Sequence, residues 1–331
     1  MWSGIENGFS ELDNKAVKRV MRGVCVELPL VSVVIPTYKR PDMIERAIDS
    51  VLNQTYKRIE VIVVDDNDPG TSSRVETELV MRKYKGNDKV KYIQHPENRN
   101  GSAARNTGVS QANGKFIAFL DDDDEFLERK LELQVLRLEE LGESWGVCYT
   151  HFIRKRNGVL LDRGIEQREG VLTAEILKGS FYISAGSNIL VRKDLIEKIG
   201  GFNESFPRRQ DLEFLVRLSQ LTQIACVPVI CLVVHKDNST SVIRTAESYV
   251  HNTDVYLKSF AEYIDNLPVE QRKKVLVGQN LGIVRFYLAK GQFREVYRVC
   301  KQNEISFFVL MRYLMYLVKR KVFKLCYGFK V

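Results

Sequence analysis

Four consecutive aspartates, Asp121-Asp122-Asp123-Asp124, directly follow the apolar run Phe116-Ile117-Ala118-Phe119-Leu120. A run of that length reads as a buried strand, and in open α/β sheets ligands bind outside the carboxyl ends of strands. Carboxylates gathered there repel one another, so the arrangement calls for a cation, and hard oxygen ligands suit Mg²⁺ or Mn²⁺. A divalent ion at a sheet edge in turn suits a substrate that carries phosphates. The competing account is a solvated acidic loop capping a helix that begins near Glu128, since Asp is a good N-cap. One Asp suffices for a cap, and four favour the metal.

The surrounding elements must position those groups. Val31-Ser32-Val33-Val34-Ile35 reads as a strand stopped by Pro36, and Pro41 opens a helix at a position where its missing N–H costs nothing. Ile44, Ala47, Ile48, Val51 and Leu52 then form one apolar stripe. A second buried strand, 59–64, ends in Asp65-Asp66. It is followed by a helix, a short strand (90–94), a helix (102–112) and the strand 115–120. Strands alternating with helices predict a three-layer α/β fold with a parallel sheet. Each strand delivers polar residues at its C-terminal end: Thr37-Tyr38, Asp65-Asp66, then Asp121 onward. After a helix at 128–141 the pattern becomes mixed, with a strand at 147–152 and a two-residue hairpin signal at Asn157-Gly158. A strand at 188–191, a turn at Gly200-Gly201-Phe202, a helix at 211–221 and a long strand at 224–234 complete this half. From about Ala246 the chain reads as helical throughout. The expected division is a leader (1–29), an α/β domain (30–240) and a helical region (241–331), without internal repeats.

Composition narrows the class. The 331 residues leave room for one large or two modest domains with a real core. Apolar and charged contents of 44% and 28% are those of an ordinary soluble protein. Residues 1–30 lack the apolar core of a signal peptide, and no stretch reaches the roughly 18 apolar residues of a membrane span. Six cysteines (Cys25, Cys148, Cys226, Cys231, Cys300, Cys326) form no metal-type spacing. Without an export signal, reduced thiols in the cytoplasm are expected. The net charge of +8 is compatible with nucleic acid, an anionic membrane surface or anionic substrates.

Taken in order, the pieces resemble the nucleotide-sugar glycosyltransferases of family 2, which have the GT-A fold, with a Rossmann-like, mostly parallel sheet flanked by helices. The matching residues are Val33-Val34-Ile35-Pro36-Thr37-Tyr38-Lys39-Arg40, Val61-Ile62-Val63-Val64-Asp65-Asp66 and Gly101-Ser102-Ala103-Ala104-Arg105-Asn106-Thr107-Gly108. Phe119 to Asp124, Gly200-Gly201-Phe202-Asn203-Glu204 and Gln210-Asp211, heading a helix with Arg217-Leu218, continue the series. The resemblance covers roughly residues 31–240. It implies metal-dependent inverting transfer of a sugar from a nucleotide-diphospho-sugar, a UDP-sugar first of all. The acceptor would be a hydroxyl of a glycan or lipid-linked molecule in cell-surface polysaccharide synthesis.

The resemblance also assigns roles. Pro36, Thr37, Tyr38 and Arg40 would hold the nucleotide, and Asp66, rather than Asp65, would accept from the N3–H of uracil. Arg105 would lie near the nucleotide or its phosphates, with Asn106 fixing the local backbone. The family's Asp-x-Asp falls on Asp121 and Asp123. Asp123 would ligate Mn²⁺ or Mg²⁺, and Asp121 or Asp122 would hold the ribose or a metal-bound water, leaving Asp124 to cap the next helix. Asp211 would be the base that takes the acceptor's proton, a role helped by partial burial that raises its pKa. By its residue type alone it is an ordinary N-cap. His235 is placed near the metal or diphosphate, although a lone His is more often structural. Gly186-Ser187-Asn188 would line the acceptor side or form a plain turn.

Two rivals fit less well. A nucleotidyltransferase opens with a Gly-rich loop after the first strand, whereas Pro36 to Arg40 contains no glycine. A nucleic-acid-binding protein would interleave Lys/Arg with aromatics or carry a reading helix. Residues 305–331 instead mix six basic residues, and no acidic one, with long aliphatic runs. That suits lipid, and no nucleic-acid partner is expected. This segment either packs on the catalytic domain or docks on an anionic membrane surface, making the protein cytoplasmic and peripheral on the inner face.

Overall fold

The computed structural model describes residues 28–206, 208–236 and 245–331; all but the last two residues of the expected leader lie outside it. β1 (Val31–Thr37) is the centre of the first half. Its side chains alternate between two cores, as the period of a strand requires. Val31, Val33 and Ile35 join Ile44, Ala47, Ile48 and Val51 of α1 (Ile44–Leu52) on one face. Val34 faces the other core.

β2 (Ile59–Asp65), α2 (Ser72–Met81), β3 (Val90–Gln94), α3 (Gly101–Ser110) and β4 (Phe116–Phe119) follow. The four strands are parallel in the order β3-β2-β1-β4, so their C-terminal ends, and the polar residues there, share one edge. α3 lies close on β1: a Cβ at Gly108 would stand 2.2 Å from Val34 Cγ1.

The second half is mixed, as the sequence suggests. It comprises β5 (Glu125–Phe126), α4 (Lys130–Leu141), β6 (Trp145–Arg156), β7 (Val159–Gly164), α5 (Thr173–Leu177) and α6 (Ala185–Asn188). β8 (Leu190–Arg192), α7 (Lys193–Lys198), α8 (Gln210–Ser219) and β9 (Gln223–His235) complete it. β8 runs antiparallel to both β4 and β6 and so welds the halves into one sheet. The β6–β7 hairpin turns on Asn157 and Gly158, with φ of 49° and 78°, the signature of a two-residue turn with both residues at positive φ. Asn188, where a strand was expected to begin, instead ends a helical turn over 185–188. The Asn188 side chain is buried there, accepting from Lys130 Nζ (2.9 Å) and donating to the carbonyls of Thr150 and Ile183 (both 2.7 Å).

α9 (Ala246–Ser259), α10 (Ala261–Asp265), α11 (Val269–Ala289), α12 (Phe293–Gln302) and α13 (Phe307–Phe323) make the C-terminal region helical, with a core of its own around Leu281, Val284, Val299 and Tyr313. One expectation needs correction: the chain is not helical to its end. Lys324, at φ 51°, terminates α13, and β10 (Leu325–Cys326) adds to the sheet parallel to β7. The carbonyls of Lys324 and Cys326 accept from the amides of Arg163 (2.9 Å) and Ile165 (3.2 Å), with Cys326 fully buried. An edge offered by β7 outweighs the propensity of two residues.

Candidate active site

The C-terminal ends of β1, β2 and β4 surround one open cleft. Pro36, Thr37, Tyr38, Arg40, Asp66, Arg105, Asp121 and Asp122 all line it, together with Asn98, Asn100, Gly101 and Ala104. The structure therefore brings together residues that lie as far apart as 36 and 122 in the chain.

The four aspartates divide into two groups. Asp122 turns toward β1: its Oδ2 accepts from Thr37 Oγ1 (2.9 Å) and its Oδ1 from Arg40 (2.9 Å). Burial pushes its pKa up to about 6 against the pull of the Arg40 charge. Asp121, Asp123 and Asp124 instead turn to one another, with candidate ligand atoms all within 4.8 Å. Arg40 reaches Asp123 Oδ2 at 3.0 Å, and Arg105 pairs with Asp121. Burial, reinforced by the charge of Asp121, raises the pKa of Asp123 and raises that of Asp124 well above the usual carboxylate range. Such a set keeps more negative than positive charge and offers hard oxygen donors, which is the chemistry of a Mg²⁺ or Mn²⁺ site.

Asp124 is not the expected helix cap. α4 begins at Lys130, with Arg129 at the cap position and no side-chain cap bond. Asp124 is buried and accepts from Ser187 Oγ (2.6 Å) and the His235 amide (3.1 Å). Ser187 also accepts from the Asp121 amide (3.1 Å), so one hydroxyl holds both ends of the cluster. His235 adjoins the cluster through its backbone amide rather than its ring. Its ring faces Glu125 at 3.2 Å, and Asp124 is the third carboxylate of the cluster.

At the end of β2 the two aspartates differ in their surroundings. Asp65 is fully buried, bound by Arg74 (3.2 Å), Tyr92 (2.5 Å) and Asn67. Asp66 is the one on the cleft, where its Oδ1 meets His95 Nδ1 (2.7 Å) and the Arg99 amide (2.8 Å) and its Oδ2 accepts from Asn98 (2.9 Å). Thr107 of α3 holds the other nitrogen of His95 at 2.9 Å.

Arg105, on α3, bonds to the Gly101 carbonyl (3.1 Å), pairs with Asp121 and lies over the Phe202 ring at 5.5 Å. Phe202 in turn stacks on Phe214 of α8. Asn106 clasps the Phe202 backbone from both sides (2.7 and 2.9 Å). Gly201 sits at φ 74°, where a Cβ would come within 2.5 Å of Asn106 Oδ1, so the Gly-Gly-Phe turn and Asn106 form one unit under Arg105.

Asp211 is not the N-cap of α8. It lies in the first turn, after Arg209 at φ 61°, where the helix dipole favours a carboxylate. Burial nevertheless raises its pKa, with the charge of Arg105 opposing and that of Asp121 adding to the rise. Asp211 thus shares its electrostatic neighbours with the acidic cluster. Arg209 is anchored from the C-terminal helices by Gln279 (2.8 Å) and Thr253 (3.2 Å).

Sequence reasoning missed His95 and Asn98, the groups that fix Asp66. The polar run after β3 was an available signal, because β3 ends at the same sheet edge. The link from Ser187 to Asp124 left no trace in the sequence, and Asn188 is interior scaffold rather than acceptor lining.

The fold and cleft together define a GT-A architecture. The profile for glycosyl transferase family 2 matches residues 32–200, half of the chain, and the protein belongs to that family. It is 32% identical over 181 residues to the GalNAc(5)-diNAcBac-PP-undecaprenol beta-1,3-glucosyltransferase of Campylobacter jejuni, covering 54% of this chain and 56% of that protein. S. aureus TarS 1–349 in complex with UDP-GlcNAc matches with a TM-score of 0.56 at 16% identity, over 84% of this chain and 93% of that one. The mannosyltransferase PcManGT from Pyrobaculum calidifontis, in complex with GDP-Man and Mn²⁺, matches with a TM-score of 0.52 at 15% identity, over 94% of each chain. These structural likenesses concern the fold. The chain spans 28% of the length of one curated Rickettsia relative and 60% of another.

Proposed function

We propose that this protein is a metal-dependent inverting glycosyltransferase that moves a sugar from a UDP-sugar to a hydroxyl of a glycan or lipid-linked acceptor. The observation that carries the reading is the acidic cluster Asp121–Asp123–Asp124, whose Asp121 lines a cleft together with Thr37, Tyr38, Asp66 and Arg105. Three clustered carboxylates, with the proton affinity of Asp123 and Asp124 raised, fit a divalent cation, Mn²⁺ or Mg²⁺. A bound cation would supply charge neutralisation for the leaving diphosphate.

The protein's own groups account for the rest. Asp66, locked by His95, Asn98 and Arg99, presents a fixed acceptor for the N3–H of uracil. Tyr38, with about a third of its surface exposed (37%), offers a face to the base. Arg105 brings positive charge to the phosphate side. Asp211 takes the acceptor proton, and its raised pKa makes it a better base than a solvated carboxylate. The UDP donor is supported by the UDP-GlcNAc complex of the TarS neighbour, and the metal by the Mn²⁺ complex of the mannosyltransferase. A lipid-linked acceptor in polysaccharide synthesis is supported by the undecaprenol-linked substrate in the name of the Campylobacter relative.

The test is a panel of UDP- and GDP-sugars scored for release of nucleoside diphosphate with and without Mn²⁺. Release from a UDP-sugar that needs the metal is expected. Full turnover in excess EDTA would remove the metal from the reading, and preference for a GDP-sugar would replace the donor.

A further inference from the structure

Helix α13 is apolar nearly all round, and the structure shows what its two sides do. Tyr313, Val309, Leu310, Tyr316 and Leu317 pack into the C-terminal core. On the opposite side Phe307 (78% exposed), Phe308, Met311, Met315, Val318 and Val322 (66% exposed) stand in solvent. At 100° per residue these six fall within an arc of about 100°, a continuous stripe about 25 Å long. Exposed apolar surface of that extent marks an interaction site rather than chance.

Charge identifies the occupant. Lys319 and Arg312 border the stripe on one flank and Lys321 on the other, with Lys324 just beyond the helix. Residues 305–331 hold six basic side chains and no acidic one. A second copy docking face to face would set these cations against their own images, which is unfavourable. A nucleic acid would leave the apolar stripe unsatisfied. An anionic lipid surface satisfies both features, because the stripe enters the acyl boundary while flanking lysines reach the headgroups. Among the described residues no helix is long and apolar enough to cross a membrane, so the contact is with one leaflet.

We infer that α13 docks the protein on an anionic membrane surface through Phe307, Phe308, Met311, Met315, Val318 and Val322, with Arg312, Lys319 and Lys321 gripping headgroups. The inference goes beyond the catalytic reading and stands without it.

The experiment is co-sedimentation of the full chain with vesicles of phosphatidylcholine alone or with added phosphatidylglycerol. Expected is retention on the anionic vesicles that weakens on the neutral ones. Lys319→Glu with Lys321→Glu should lower the partition at least tenfold, since each basic residue near such a surface is worth roughly fivefold. Phe307→Ser with Met311→Ser should lower it further and, both being solvent-exposed, should leave the melting temperature unchanged. Donor hydrolysis in solution, measured on the same variants, should stay at the parent level; its loss in parent and variants alike would count against the catalytic reading and not against docking. Equal recovery of parent and variants in the supernatant overturns the inference. So does a dimer in vesicle-free sedimentation that the serine variants dissolve, because the stripe would then be a protein–protein contact.

Discussion

Two strands of one sheet deliver carboxylates to the same edge, and the protein treats them in opposite ways. At the end of β2, Asp65 and Asp66 each meet a full set of donors: Arg74, Tyr92 and Asn67 for the first, His95, Asn98 and the Arg99 amide for the second. At the end of β4, four carboxylates share Arg40 and Arg105, and Asp124 receives neutral donors from Ser187 and the His235 amide. Buried carboxylates are ordinarily paired or coordinate a metal. The β2 pair is held by protein groups, which suits a scaffold and, on the proposed reading, a fixed acceptor. The β4 cluster keeps an excess of negative charge, which a cation can complete. The number of partners, rather than the number of acids, separates the two.

The largest effect should come from the contrast itself. Asp123→Ala removes one cluster ligand and should lower turnover by about 10³-fold or more, since metal stabilisation of the leaving group is worth several kcal/mol. In thermal melts the parent should gain stability with Mn²⁺, by about 2.7 kcal/mol at a hundredfold excess over Kd, and the variant should not. Asp65→Ala should do the reverse. It breaks a buried ion pair at a cost of about 3–5 kcal/mol but leaves the Mn²⁺ response in place. If both variants respond to Mn²⁺ as the parent does, the distinction between scaffold and site fails.

Next in size is the proposed base. Asp211→Asn keeps the shape of the first turn of α8 and removes proton acceptance, for an expected loss in kcat of ~10²–10⁴-fold with donor binding near the parent level. The pH dependence follows from burial. A base must be ionised, and the pKa of Asp211 is raised from 3.8. Activity should therefore fall as pH is lowered through that raised value, earlier than for a solvated carboxylate, and Asp211→Asn should flatten this acid limb. Normal turnover of the variant would leave Asp211 a helix-dipole residue.

The sequence carried the first half of this site well because its signals are local. Alternating Val31, Val33 and Ile35, the stripe from Ile44 to Leu52 and the acids at strand ends each announce their place within a few residues. The cluster's membership was harder to read. Asp122 and Asp124 differ from Asp121 and Asp123 only in what faces them, and Thr37, Arg40 and Ser187 come from 63 to 85 positions away. β10 was illegible for the same reason: two residues carry no periodicity, and the β7 edge that recruits them lies about 160 residues earlier. Exposure of α13 could not be read either, because an apolar helix does not say which of its faces is covered.

The smallest expected effect tests whether the helical region belongs to the site at all. Arg209 precedes Gln210-Asp211 at φ 61°, a conformation that costs a non-glycine residue roughly 1–2 kcal/mol and persists only if something holds it. Gln279 of α11 and Thr253 of α9 do so, with the Tyr249 and Tyr256 rings 5.3 and 5.6 Å from the guanidinium. Gln279 also donates to the Leu177 carbonyl, tying the same helix to α5. Gln279→Ala should therefore let the start of α8 drift and lower kcat by about two- to tenfold, a ~0.4–1.4 kcal/mol effect, while the KM for the donor stays unchanged. On the proposed reading the donor groups sit on the β1–β4 side of the cleft, so only the proposed base, Asp211, is displaced. A melting temperature lowered by a few degrees with kcat intact would mean that α11 merely packs against the catalytic domain, and the comparison would then stop at the sheet.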